Sequence, residues 1–141
     1  MSRNELLAVV VAAVIAAVVL PVSAADVTQQ RLMSTAAEPQ NWLMVHRDYD
    51  NSRHSSLREI NRDTARDLKL KFIVSIGGRS TGGTQRGKEE STPLVDDGFM
   101  YVIDGWGVVY KIDVRSGSYG RILWKMDPGM KRYGRIRGVA L

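Results

Sequence analysis

The chain has 141 residues, no cysteine, a formal net charge of +5 and a hydrophobic content of 44%. Without cysteine it forms neither disulfides nor a lipidated N-terminal cysteine, so any core must come from burial alone. Its basic residues are scattered among acids without an aromatic platform, which sets nucleic-acid binding aside in favour of a solvated surface of mixed charge.

Leu6–Leu20 is an unbroken apolar run, LLAVVVAAVIAAVVL, with Arg3 ahead of it and Pro21 behind. Small residues at Val22-Ser23-Ala24 then complete the pattern of an export signal over residues 1–24, with cleavage expected after Ala24 or Ala25. The competing reading is a retained anchor. Fifteen apolar residues fall short of the roughly 20 a spanning helix needs, although Glu5 weakens the positive charge expected of a signal's first segment. Either reading carries the rest of the chain out of the cytoplasm.

Removing the leader takes away one charge of each sign and leaves about 117 residues, enough for one small domain or part of a larger one. Residues 25–67 form a lead-in segment. VTQQRLMSTA predicts a short helix capped by Asp26 or Thr28 and ended by Pro39. Asn41–Ser56 mixes Trp42 and Tyr49 with Asn, Asp, Ser and Arg, as expected of an irregular stretch pinned by aromatics. A second short helix is expected from about Asn61, with Asp63 and Thr64 as candidate caps, and the chain turns extended at Leu68.

From residue 68 onward every signal is β. Leu70–Ile76 is rich in branched and aromatic residues and stops at Gly77-Gly78, so it predicts a strand. Pro93-Leu94-Val95 leads into Asp96-Asp97-Gly98, a tight turn, and Phe99–Ile103 is the second arm of a hairpin. Strands are expected again at Val108–Ile112 and Arg121–Met126, separated by a turn at Arg115-Ser116-Gly117. Short strands about ten residues apart, joined by Gly- and Asp-rich turns, fit a sandwich or a propeller blade, and spacing alone does not choose. A blade takes about 40 to 50 residues, so two at most fit here.

The choice comes from particular residues. STPLVDDGFMYVIDGWGVVYKIDVRSG, then ILWKMDPG and RGVAL, resembles the first blades of the pyrroloquinoline-quinone (PQQ) dependent alcohol dehydrogenases, and NWLMVHRDYDNSRHSSLREIN resembles their lead-in. The resemblance runs from about Arg31 to Leu141. It implies an all-β fold: the first blades of an eight-bladed quinoprotein β-propeller, incomplete over residues 68–141 and preceded by short N-terminal helices. Asp113, Gly117 and Trp124 match its tryptophan-docking motif, with Ser118-Tyr119-Gly120 as a tolerated lengthening. Trp124, like Tyr101 and Tyr110, reads as a packing residue, its ring docked between blades and its indole N–H needing a partner.

Two positions carry the family's cofactor chemistry. Glu90, in Glu90-Ser91-Thr92-Pro93, matches the glutamate that touches the quinone, and Arg137 matches the arginine that pairs with one of its carboxylates. Read without the resemblance, Glu90 is a solvated loop acid beside Lys88 and Glu89, and Arg137 one more member of a basic cluster with Lys131, Arg132 and Arg135. Many members carry two adjacent cysteines six and five residues before that arginine. Here those places hold Lys131 and Arg132, which fits either a branch without the strained ring or a segment that has drifted.

His46 and His54 lack the convergent ligands of a zinc site, and the glycines between 77 and 87 lack a phosphate-loop pattern. The implied activity is oxidation of a small alcohol to an aldehyde by hydride transfer to PQQ beside a Ca²⁺ or lanthanide ion, in the periplasm, with cytochrome c as acceptor. The family's metal ligands and catalytic aspartate fall outside the matched region, so no catalytic or metal-binding residue is assigned. The chain is therefore expected to be inactive alone and, with blade faces unpartnered, poorly folded or aggregation-prone. The alternative is a non-enzymatic envelope propeller scaffold that binds no quinone.

Overall fold

The computed structural model describes residues 26–77, 88–130 and 135–141. The leader, the glycine-rich stretch from Gly78 and the Lys131-Arg132 pair lie outside the described residues. Among the described residues no helix is long and apolar enough to cross a membrane.

The described residues open with helix α1, Gln29–Met33, whose first turn is closed by the Thr28 hydroxyl accepting from the Arg31 N–H at 3.3 Å. A 3₁₀ turn at Thr35–Ala37 follows, so the helical region ends before Pro39. The second expected helix is only a 3₁₀ turn, Ala65–Asp67. Asn61 is the reason: its side-chain oxygen accepts from the N–H groups of Asp63 (2.9 Å) and Thr64 (3.2 Å), a local closure that competes with helical bonding.

Among the described residues six strands follow: β1 Lys88–Glu89, β2 Leu94–Asp96, β3 Phe99–Ile103, β4 Val109–Asp113, β5 Arg121–Met126 and β6 Arg135–Ile136. β2 to β5 form one antiparallel sheet in chain order, while β1 and β6 pair in parallel. The β2–β3 turn places both Asp97 (φ 47°) and Gly98 (φ 76°) at positive φ, the geometry that lets a two-residue hairpin match strand twist. Between β3 and β4 the buried Asp104 closes the turn. One of its oxygens accepts from the N–H groups of Trp106 (2.8 Å) and Val108 (3.0 Å), and the other from the Tyr110 hydroxyl (3.0 Å). β4 and β5 pair with a register shift between Lys111 and Ile112.

Register sorts the sheet's side chains onto two faces. Met100, Val102, Tyr110, Ile112 and Val114 lie on one, and Val74 and Ile76 from the preceding segment pack over them as the core. The expected strand at Leu70–Ile76 is thus only half right. Phe72, Val74 and Ile76 are less exposed than Lys71, Ile73 and Ser75, but the segment makes no strand pairing among the described residues. Phe99, Tyr101, Lys111 and Trp124 line the other face, with the Lys111 ammonium 4.3 Å from the centre of the Phe99 ring.

The lead-in is fastened to this sheet at its β2 edge. Trp42 and Val95 exchange two backbone hydrogen bonds, of 2.8 and 2.9 Å. Beside that bridge the Arg31 guanidinium donates to Glu38 (2.6 and 2.9 Å) and to the buried Asp96 (2.7 Å). Asn41, also buried, donates to Glu38 at 2.7 Å and accepts from the Asp97 N–H at 3.0 Å. The aromatic pinning expected of Asn41–Ser56 is thus supplied by Trp42, whereas Tyr49 is 61% exposed.

Candidate functional site

The sheet separates β1 from β6 in the chain, yet the two pair directly, Lys88 opposite Arg135 and Glu89 opposite Ile136. Parallel neighbours need a long crossover, and here β2–β5 provide it. The ladder continues one bond further, from the Glu90 N–H to the Ile136 carbonyl at 3.0 Å. In that register the position after Glu89 faces the position after Ile136. Glu90 and Arg137, forty-seven positions apart in the chain, therefore emerge side by side from the ends of paired strands.

Both side chains are exposed, and among the described residues neither forms an ion pair with the other. An acid and an arginine thus leave the ladder from neighbouring backbone positions, both exposed. Arg137 presents a planar fork that matches a carboxylate, and Glu90 offers acceptor oxygens. Val45 of the lead-in lies 3.7 Å from where a Cβ on Gly138 would stand, so the site abuts the lead-in as well as the sheet.

The docking-motif residues share the β4–β5 hairpin. Asp113 accepts from the Arg115 side chain (2.9 and 2.7 Å) and its backbone N–H (3.1 Å), bonds that hold its carboxyl well below the usual carboxylate range. Gly117 turns at φ 64°. Trp124 stands edge-on to Tyr101, ring centres 6.5 Å apart, and remains 44% exposed, so within the described residues only part of its ring is covered. Tyr110 packs in the core as expected, and burial pushes its hydroxyl upward, reinforced by the hydrogen bond to Asp104. The histidines converge on nothing: His46 accepts from Arg53 at 3.0 Å, and no cluster of three or more His, Asp or Glu able to hold a metal exists among the described residues.

Sequence reasoning passed over three polar hubs, Arg31, Arg47 and Asp104. Asp104 had a readable signal, an acid immediately before Gly-Trp-Gly, the composition of a side-chain-closed turn. The arginines had none, because Asp96 lies 65 positions from Arg31 and the partners of Arg47 are backbone carbonyls.

Residues 42–141 match the PQQ family described as the glucose/ethanol/alcohol dehydrogenase β-propeller domain. The alcohol dehydrogenase (quinone), dehydrogenase subunit, of Acetobacter aceti is 35% identical over 133 residues, covering 89% of this chain and 17% of its own length. The 1-butanol dehydrogenase (cytochrome c) of Thauera butanivorans is 37% identical over 64% of this chain and 12% of its own length. The solved quinohemoprotein alcohol dehydrogenase ADHIIG of Pseudomonas putida HK5 superposes with a TM-score of 0.62 at 32% identity, over 73% of this chain and 14% of that one. The chain thus spans less than a fifth of these proteins. With its antiparallel four-stranded sheet and its match over residues 42–141, it belongs to the PQQ-dependent glucose/ethanol/alcohol dehydrogenase β-propeller family.

Proposed function

We propose that this chain forms one wall of a PQQ site in a periplasmic alcohol-oxidising quinoprotein, with Glu90 and Arg137 as its cofactor-binding residues. The observation that carries the reading is the β1–β6 ladder, which delivers an acid and an arginine from distant parts of the chain to adjacent places. The donor set fits the group: PQQ is flat and bears three carboxylates, and an exposed guanidinium without an ion pair among the described residues is a match for one of them. PQQ held there would supply a two-electron acceptor for the hydride of an alcohol whose hydroxyl proton passes to a base. This chain's own share is to bind and orient: Arg137 grips a carboxylate, Glu90 supplies acceptor oxygens beside it, and the ladder fixes their separation. No residue here is assigned to the Ca²⁺ or lanthanide ion, to the catalytic base, or to the contact with cytochrome c.

Export is supported by the apolar run Leu6–Leu20 followed by Pro21 and Val22-Ser23-Ala24, the sequence of a cleaved leader. N-terminal sequencing of the periplasmic fraction is expected to find a chain starting at Ala25 or Asp26.

The test of the cofactor reading replaces the matching segment of the Pseudomonas putida enzyme with residues 42–141 and measures PQQ retention after gel filtration, alongside alcohol oxidation. Retention is expected in the chimera and at least a tenfold weaker hold in Arg137→Ala, on the scale of a lost charged hydrogen bond of roughly 1.5 to 3 kcal/mol. Equal retention in Arg137→Ala and Glu90→Gln would leave a propeller scaffold with no part in holding quinone.

A further inference from the structure

Between the Thr35–Ala37 turn and the loop from Arg47 to Ser56 lies a small pocket of about 150 Å³, lined by neither Glu90 nor Arg137. Its walls include Thr35, Arg47, Asp48, Ser52, His54 and Ser56. Arg47 is the unusual member. Only 4% of its surface is exposed, yet its guanidinium bonds solely to neutral carbonyls: Nη1 to Pro39 (3.3 Å) and Asn41, Nη2 to Thr35 (3.1 Å). It also stacks over Trp42 at 5.7 Å from the ring centre.

Carbonyls satisfy N–H groups but do not cancel a charge, and a buried cation ordinarily has an anionic partner. Arg47 has no ion pair among the described residues, and its Nε–H and one Nη2–H are left over by these three bonds. Asp48, on the same pocket wall, attracts Arg47 through space but forms no ion pair with it, and its two oxygens accept from the Ser52 N–H, at 2.9 Å, and from the Ser52 hydroxyl. Arg47 (φ 79°), Asn51 (φ 56°) and Arg53 (φ 52°) all adopt left-handed backbone, three non-glycine residues within seven positions. Such conformations persist only where surrounding contacts hold them.

We infer that this pocket binds a small oxyanion, a carboxylate or a phosphate, against the uncommitted edge of Arg47. The pocket is open to solvent and has room for such an ion. A guanidinium edge suits either oxyanion, and the hydroxyls of Thr35 and Ser56 and the His54 ring supply further polar groups around it. The Asp48 charge opposes the ligand, so the affinity is weak, with a dissociation constant on the order of 1 mM.

The experiment titrates acetate and, separately, inorganic phosphate into the dilute full chain at constant ionic strength. It follows the Arg47 Nε–H and the His54 and Ser56 amide resonances by ¹H–¹⁵N spectroscopy. Saturable displacement by one anion and not the other names the chemistry, and displacement by both in competition assigns a general oxyanion site. Because Arg47 substitutions risk unfolding, the deciding variants are Asp48→Asn, expected to tighten binding roughly tenfold by removing a like charge, and His54→Ala, expected to weaken it. Shifts that grow without saturating, shifts indifferent to both variants, or no shifts at all overturn the inference.

Discussion

Arg31 holds three parts of the chain at one point, since its guanidinium reaches Glu38 in the lead-in and Asp96 on β2 from its own place in α1. The bond from Arg31, with a second from Asn41, holds the Glu38 carboxyl at about 2, against an ordinary 4.5. A folded-state value lowered in this way means stability that is complete above about pH 4.5 and lost as pH falls toward 2. Arg31→Met is therefore expected to lower the melting temperature at neutral pH and to flatten its fall across that window, measured by circular dichroism at a series of pH values. A residual acid dependence should survive from Asp113, which Arg115 holds low independently. Tyr110→Phe is a second residue-scale test: it removes a donor to the buried Asp104 and the acceptor of the Gly77 N–H (3.0 Å), at a cost of about 1 to 3 kcal/mol in chemical denaturation. The alternation Val108–Ile112 marked Tyr110 as a strand residue, but a one-dimensional pattern carries no information on where its hydroxyl ends. Arg47 is the extreme case, a buried cation whose partners are backbone oxygens that every residue possesses.

At the scale of elements, the hairpins were the most legible feature, because their turn chemistry is local. Asp97-Gly98 needs two positive φ values, and glycine meets the second without steric penalty. Gly98→Val should cost at least about 1 kcal/mol through the left-handed backbone alone. A Cβ there would also stand only 2.5 Å from the Arg115 Cγ, so urea unfolding should show a larger loss for Val than for Ala. Less legible was the segment Leu70–Ile76. Its branched residues and alternation report correctly that every second side chain is covered, since Val74 and Ile76 pack on the core. The same pattern says nothing about hydrogen-bond partners, and the segment lies across the sheet's face instead of joining its edge. Least legible of all was the β1–β6 ladder, two residues on each side and a whole sheet apart. Glu90 and Arg137 were singled out through the family resemblance alone, and their adjacency appears only in three dimensions.

For the whole molecule, the covered and uncovered surfaces divide sharply. β2 has its outer edge bridged by Trp42, whereas all six residues of β5 are exposed and, among the described residues, nothing pairs along its far side. Leu70 (78% exposed) and Ile73 (77% exposed) face outward from the segment that covers the core, and Trp124, Leu123 and Met126 add apolar surface on β5. A strand edge with free backbone groups next to large apolar side chains is a template for further pairing. The family resemblance anticipated this, because a blade's two faces are meant to meet neighbouring blades. It did not anticipate how well the remaining edge and the lead-in are tied down by Arg31, Asn41 and Trp42. The full chain should accordingly fold around its sheet at low concentration and associate as concentration rises. Sedimentation velocity across a concentration series is expected to show growing oligomers for the native sequence. Leu70→Lys combined with Ile73→Lys should shift the distribution toward monomer with little change in melting temperature, since both side chains already point into solvent. An unchanged distribution in that variant would place association on β5, where Leu123→Lys is the corresponding change; if neither variant acts, exposed apolar surface is not what drives it.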